Sequence, residues 1–190
     1  MARTPSVMIP LGTKAPAFRL PDTISGNMVS LEDVKGKIAT VIMFVCNHCP
    51  FVKHVNPQLV QLAKDYGPKG IGFAAISSND ATSYPEDGPD KMKQVAAEQG
   101  YPFPYLYDET QEVAKAYQAA CTPDFFIFDS SLQLVYRGQL DDSRPGNGIP
   151  VTGNDIRKAL DQLLKGEAVD SNQKPSIGCN IKWKTTETAS

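Results

Sequence analysis

Residues 38–50 read IATVIMFVCNHCP, and the organisation of the whole chain turns on that stretch. Ile38 to Val45 form an unbroken apolar run rich in β-branched side chains. Such a run, far too short to span a bilayer, is the pattern of a strand covered on both faces at the centre of a parallel sheet. Beyond Cys49 the period changes. Phe51, Val52, Val55, Leu59, Leu62 and Ala63 recur every three or four residues, which predicts an amphipathic helix to about Tyr66. Pro50 suits the first helical turn, where a missing amide costs nothing, whereas Pro57 falls inside and predicts a kink. Cys46 and Cys49 therefore occupy a tight turn between a buried strand and a helix.

Working outward, the elements alternate. On the N-terminal side, apolar runs at Phe18-Leu20 and Met28-Leu31 flank a Ser25-Gly26-Asn27 turn and predict a hairpin. On the C-terminal side, Gly70 to Ser77 reads as a second buried strand, and Ser78 to Pro89 (SNDATSYPEDGP) as a loop dense in turn formers. Pro89 opens a helix to about Gly100, a short strand follows near Tyr105-Leu106, and Thr110 to Tyr117 reads as a short helix. Phe125-Phe128 and Leu132-Arg137, joined by Asp129-Ser130-Ser131, predict an antiparallel hairpin, and Asp155 to Leu164 a last amphipathic helix. The polar segment from Gly166 to Ser190 is expected to wrap the surface, anchored by burial of Trp183. The expected architecture is α/β: a central mixed sheet flanked by helices, with an N-terminal hairpin and an extended tail. The 190 residues, without repeat or linker, read as one domain with a core over about 11–164 and a tail over 165–190.

Charge narrows the partners. The 19 basic and 21 acidic residues nearly cancel, and no basic run stands out, so neither nucleic acid nor an anionic membrane is an expected partner. The first eleven residues hold two prolines and no long apolar run, so they do not read as a secretory signal, and the chain is expected to be soluble and cytoplasmic. Four cysteines are too few for a disulfide scaffold, which leaves their positions as the informative feature.

Two cysteines three residues apart at a strand-to-helix junction place two sulfurs within bonding reach. The expectation is that Cys46 sits at the exposed helix N-terminus, where unpaired amides and the helix dipole stabilise its thiolate, and that Cys49 lies one turn along. His48, between them, can add positive charge or a hydrogen bond that lowers the thiol pKa further. Cys46 is then the nucleophile that attacks a partner's disulfide, and Cys49 resolves the mixed disulfide by forming the Cys46-Cys49 bond. No cofactor is called for. Cys121 and Cys179 are candidate auxiliary thiols, His54 reads as a solvated or capping histidine, and Arg144 lies in a polar loop able to meet a substrate.

Several segments together resemble a known group: CNHCP after an apolar strand, CTPDFFIFD at residues 121–129, GTKAPAFRLPD at 12–22 and VSLEDVKGK at 29–37. They are similar to thioredoxin-like proteins related to peroxiredoxins (the AhpC/TSA type) and to TlpA-type reductases. In the peroxiredoxin-like branch the likeness extends to PSIGCNIKWK at 175–184. The resemblance implies a thioredoxin-like fold. It also implies a cis-proline opposite the dithiol, here Pro123 after Thr122, whose free backbone groups would pair with an extended substrate. Asn47, inside the motif, joins Thr122 and Pro123 as a candidate substrate contact. Protein thiols and disulfides are the implied partners, with a thioredoxin or glutathione system as the source of electrons.

The chain departs from its relatives at telling positions. Aligning the peroxiredoxin pattern PxxxTxxC on Cys49 requires proline at Ile42 and threonine at Cys46, and the arginine that peroxiredoxins carry before the strand at Phe125-Phe128 is missing, since 121–123 read Cys-Thr-Pro. Compared with thioredoxin, the strand before the motif lacks a buried carboxylate, which leaves His48 as the candidate proton carrier. Thiol-disulfide exchange is thus the leading expectation. A thiol peroxidase is the first alternative. The second is a module holding zinc or copper(I) with Cys46, Cys49 and one of Cys121, His48 or Cys179.

Overall fold

A computed structural model describes residues 3–185. In chain order the strands are β1 (Arg3–Pro5), β2 (Arg19–Pro21), β3 (Met28–Ser30), β4 (Ala39–Phe44), β5 (Ile71–Ser77), β6 (Tyr105–Tyr107), β7 (Cys121–Thr122), β8 (Asp124–Asp129), β9 (Leu134–Gly138) and β10 (Ile177–Asn180). The helices are α1 (Leu31–Val34), α2 (Pro50–Tyr66), α3 (Pro89–Gln99), α4 (Glu112–Tyr117) and α5 (Asn154–Leu164).

The apolar run at 38–45 is the middle of a five-stranded sheet ordered β6-β5-β4-β8-β9. β4 runs parallel to β5 and antiparallel to β8, so the sheet is mixed. Every residue of β4 is buried, and its side chains divide by parity as a pleated strand requires. Ala39, Val41 and Met43 pack with Val52, Val55 and Leu59 of α2 and with Ile156 and Leu160 of α5. Ile42 and Phe44 pack on the other face with Leu31 and Val34 of α1 and Ala114 and Tyr117 of α4. Each such buried side chain contributes about 1.5–3 kcal/mol relative to exposure, which is why an alternating pattern is absent here: both faces are covered.

The expected hairpin is β2-β3, and Ser30 and Asp33 cap α1 reciprocally. The helix α2 continues through Pro57 as one segment to Tyr66. The β8-β9 connection runs two residues further than the sequence suggests. Leu132 takes a left-handed φ of 59° and donates its amide to Asp129 at 2.9 Å, which holds it in the turn and delays β9 to Leu134.

Two expectations for the tail are corrected. It does not merely wrap the surface: β10 is the middle strand of a second, three-stranded sheet ordered β1-β10-β7. Arg3 opposes Cys179 on one side and Thr122 opposes Cys179 on the other, both antiparallel. Cys179 and Ile181 are buried, with 2% and 1% of their surface exposed. Trp183, by contrast, is no buried anchor. It is 40% exposed and carries Lys115 6.0 Å from its ring centroid, because the chain has already left the sheet at that point. The anchors are polar instead: Asp80 N donates to Lys182 O, Lys182 N donates to Asn79 Oδ1, and the Gln111 side chain spans Ser78 O, Lys182 O and Lys184 N.

Candidate active site

The turn from β4 into α2 places the motif at the meeting point of both sheets. Pro50 takes the first helical position, so the residue before it, Cys49, becomes the N-cap of α2. This corrects the expectation that Cys46 occupies the helix terminus. Cys46 lies in the preceding turn, and both sulfur-bearing residues are closed off, Cys46 at 1% and Cys49 at 0% exposure.

The Thr122-Pro123 peptide is cis and faces the pair. Cys46 Sγ lies 3.5 Å from Thr122 Oγ1, and Cys49 Sγ lies 3.4 Å from the Thr122 carbonyl oxygen. Cys179 Sγ, delivered by β10, stands 2.8 Å from Cys49 Sγ, about 0.8 Å longer than a disulfide bond. All four cysteines are thiols in this structure. Cys121 points elsewhere, its thiol donating to Pro123 O at 3.7 Å, and burial holds its pKa far above the ordinary thiol value.

The acidity order within the pair reverses the sequence expectation. A hydrogen bond from Cys46 is the largest influence lowering the Cys49 thiol. Bonds from Cys179, Thr122 and the Val52 amide in the first turn of α2 add to it, against the opposing cost of burial. Cys46 is raised by the same bond to Cys49, then by burial and by the charge of Asp87. Cys179 is also raised, first by burial and then by Cys49. Within the cluster Cys49 is thus the thiol pulled down, and Cys46 and Cys179 are the two pushed up.

The turn itself is held by a residue of the loop predicted over Ser78 to Pro89. Asp87, at the end of a short 3-10 turn (Pro85–Asp87), is fully buried. Its Oδ1 accepts from Asn47 N at 2.8 Å and His48 N at 3.3 Å, and its Oδ2 accepts from Asn79 Nδ2 at 2.9 Å and meets His48 Nδ1. The carboxylate absent from the strand before the motif is thus supplied by this loop. The PEDGP segment that carries Asp87 reads as a surface turn, and nothing local in it signals burial. His48 remains partly open, 21% of its side chain exposed, with its ring stacked on Tyr84 at 5.7 Å and 2°.

Asn47 is turned inward rather than toward a substrate: it is 7% exposed, its Nδ2 donates to Glu86 O, and its Oδ1 accepts from the Tyr105 hydroxyl at 2.9 Å. Inward too is Arg144, which bonds Asp141 O, Ser143 O and Gln139 Oε1 and so braces its own loop. His54 pairs with Ser143 Oγ at 2.7 Å. Among the described residues, the set of side chains able to hold a metal ion is Cys46, His48 and Asp87, whose ligand atoms lie within 4.8 Å of one another. That set differs from the expected Cys46-Cys49 pair plus a third ligand, and it offers one donor fewer than a closed structural zinc site. Among the described residues no helix is long and apolar enough to cross a membrane.

Comparison with known proteins agrees with this fold. A Geobacillus kaustophilus crystal structure described as an uncharacterized conserved protein is 69% identical, with a TM-score of 0.97 over 98% of both chains. A hypothetical protein from Sinorhizobium meliloti is 49% identical, with a TM-score of 0.93 over 96% of this chain and 99% of that one. The thioredoxin domain of a thiol-disulfide oxidoreductase from Bacteroides vulgatus shares the fold at 22% identity, with a TM-score of 0.60 over 70% of this chain and 91% of that one. A Mycobacterium tuberculosis protein named as a putative peroxiredoxin is 32% identical over 108 residues, 57% of this chain and 63% of that relative's length. The AhpC/TSA family profile matches residues 11–137, from the loop before the hairpin through most of β9. With a thioredoxin-like fold around a cysteine pair at the N-terminus of α2, the chain belongs to the AhpC/TSA family.

Proposed function

We propose that this protein is a thiol-disulfide oxidoreductase that exchanges disulfides with a partner protein through Cys46 and Cys49. The observation that carries this reading is the placement of the pair at the turn from β4 into α2, with both sulfurs in contact with Thr122 beside the cis-proline. Cys46 lies on the side of the turn toward the partly open His48, whereas Cys49 is held between Thr122 O and Cys179. Attack therefore falls to Cys46. Its proton passes to Cys49 as its sulfur bonds to one sulfur of the incoming disulfide, and the other partner sulfur leaves as a thiolate. Cys49 then attacks Cys46 Sγ, the mixed disulfide breaks, and the second partner sulfur departs with the proton. The partner gains two electrons and the protein keeps a Cys46-Cys49 disulfide, which a thioredoxin or glutathione system of the cytoplasm returns to the dithiol.

Trapping tests the assignment. Cys49→Ser mixed with a disulfide-bonded peptide accumulates a mixed disulfide on Cys46, and Cys46→Ser gives none that turns over. Equal turnover by Cys46→Ser and the wild type would sink the proposal.

One observation favours a second reading, a thiol peroxidase: the lowered Cys49 thiol belongs to the N-cap residue of α2. The departures at Ile42, Cys46 and residues 121–123 count against it. Peroxide consumption slower than disulfide exchange supports the first reading, and the reverse order supports the second.

A further inference from the structure

We infer that Cys179 is a third redox thiol of this site: the disulfide formed between Cys46 and Cys49 passes to Cys49 and Cys179. The inference rests on the oxidoreductase reading of the pair. The family profile ends at Arg137, so nothing in that match accounts for a cysteine 42 residues further on. Three independent features place it.

The first is distance, 2.8 Å between Cys49 Sγ and Cys179 Sγ across 130 residues of sequence. The second is register. β10 pairs antiparallel with β7 so that Cys179 opposes Thr122, the residue preceding the cis-proline. That edge is where an extended substrate would add as a strand, so the tail lies in the position of a substrate and presents a cysteine to the pair as a substrate would. The third is packing. A Cβ on Gly178 would stand 2.0 Å from Thr122 O and 2.6 Å from its carbonyl carbon, so only glycine lets β10 lie this close to Thr122. Ser176 reinforces the seat by donating to Pro123 O at 2.6 Å and taking the Ser6 amide on its own carbonyl.

The step is a balanced exchange. Starting from the Cys46-Cys49 disulfide, Cys179 gives up its proton and its sulfur bonds to Cys49 Sγ. The Cys46-Cys49 bond breaks, and Cys46 leaves as a thiolate that takes the proton. One disulfide replaces another with no net oxidation, and the oxidising equivalents come from the partner disulfide of the first turnover. The product keeps its disulfide buried and frees Cys46, on the side of the turn toward the partly open His48, to meet another disulfide.

The test equilibrates wild type, Cys46→Ser and Cys179→Ser in glutathione redox buffers, alkylates the remaining thiols and maps every disulfide by mass spectrometry. The wild type is expected to divide its oxidised form between the 46-49 and 49-179 bonds. Cys46→Ser is expected to close the 49-179 bond and release glutathione, and Cys179→Ser to show 46-49 alone, with its oxidised form disfavoured by about twofold or more through loss of one of two isomers. A wild type holding only the 46-49 bond, with Cys46→Ser retaining glutathione on Cys49, overturns the inference and leaves the pair intact. Absence of a 46-49 bond from both wild type and Cys179→Ser overturns the oxidoreductase reading itself. If Cys179→Ser does not fold, Cys179→Ala serves in its place, because Cys179 packs within the apolar cluster beneath the sheet.

Discussion

Replacing Asp87 should lower stability while making Cys46 more acidic, two effects of opposite sense from one carboxylate. The buried Asp87 side chain accepts from Asn47 N, His48 N and Asn79 Nδ2 at 2.8, 3.3 and 2.9 Å. Asp87→Ala orphans all three donors, each at about 1–3 kcal/mol when buried, and the His48 amide, nearest solvent, recovers most of its share from water. The expected loss is about 3–5 kcal/mol. Asp87→Asn keeps an oxygen for the two backbone amides but turns an amide group toward Asn79 Nδ2, so it should cost about 1–2 kcal/mol. Because Asn79 Oδ1 also receives the Lys182 amide, the alanine variant should loosen the tail as well. Both variants remove a negative charge that raises Cys46, so its pKa should fall in each. Urea unfolding gives the stabilities, and ultraviolet thiolate absorbance against pH, in a Cys121→Ala background, gives the acidity. An Asp87→Ala protein within about 0.5 kcal/mol of wild type, or a Cys46 titration that does not move, refutes the reasoning.

Gly178→Ala forces a methyl against the Thr122 carbonyl and should destabilise the fold by about 1–3 kcal/mol while speeding alkylation of Cys46 and Cys49 in the native state. Unchanged protection would show that β10 is not what shields them. Burial raises Asp124 to about 7, although Ser6 Oγ and Ala120 N donate to it. A folded-state pKa above the unfolded value means stability is fully present below about 4 and falls as pH rises through 7, by up to about 4 kcal/mol at 1.4 kcal/mol per unit. Asp124→Asn should flatten that fall in urea titrations at several pH values, and an unaltered slope would assign it to other groups. Closing a Cys49-Cys179 disulfide in Cys46→Ser joins residues 130 apart and should stabilise by about 5 kcal/mol on the loop-entropy relation, read as the melting difference between oxidised and reduced protein.

What was legible in the sequence was what local pattern encodes. The run at 38–45 specified β4 because burial on both faces needs consecutive apolar residues, and the turn at 25–27 specified the β2-β3 hairpin because Gly26 takes a φ of 77°. The cis-proline came through the resemblance at 121–129, where no residue pattern alone would have placed it. Strands β1 and β10 were not legible. They are three and four residues long and pair across about 170 residues, and segments that short show neither alternation nor a turn to announce them. Asp87 was missed for a related reason, since the burial of a carboxylate in a turn-rich loop is decided by what packs over the loop.

The error about Cys46 is more instructive, because the residue that corrects it was already in view. Pro50 suits the first helical turn, and a proline at that position makes the preceding residue the N-cap. That residue is Cys49, so the helix terminus stabilises the second sulfur and not the first. The consequence extends to the tail. A lowered thiol with 0% exposure draws on groups inside the protein, and the two largest influences that lower it are thiols, Cys46 from the turn and Cys179 from β10. The arrangement that lowers Cys49 is thus the same one that brings two potential disulfide partners against it. A site built this way has its acidity and its choice of partner set by one strand from outside the family match, and Gly178, which alone lets that strand close, is the position where both can be changed together.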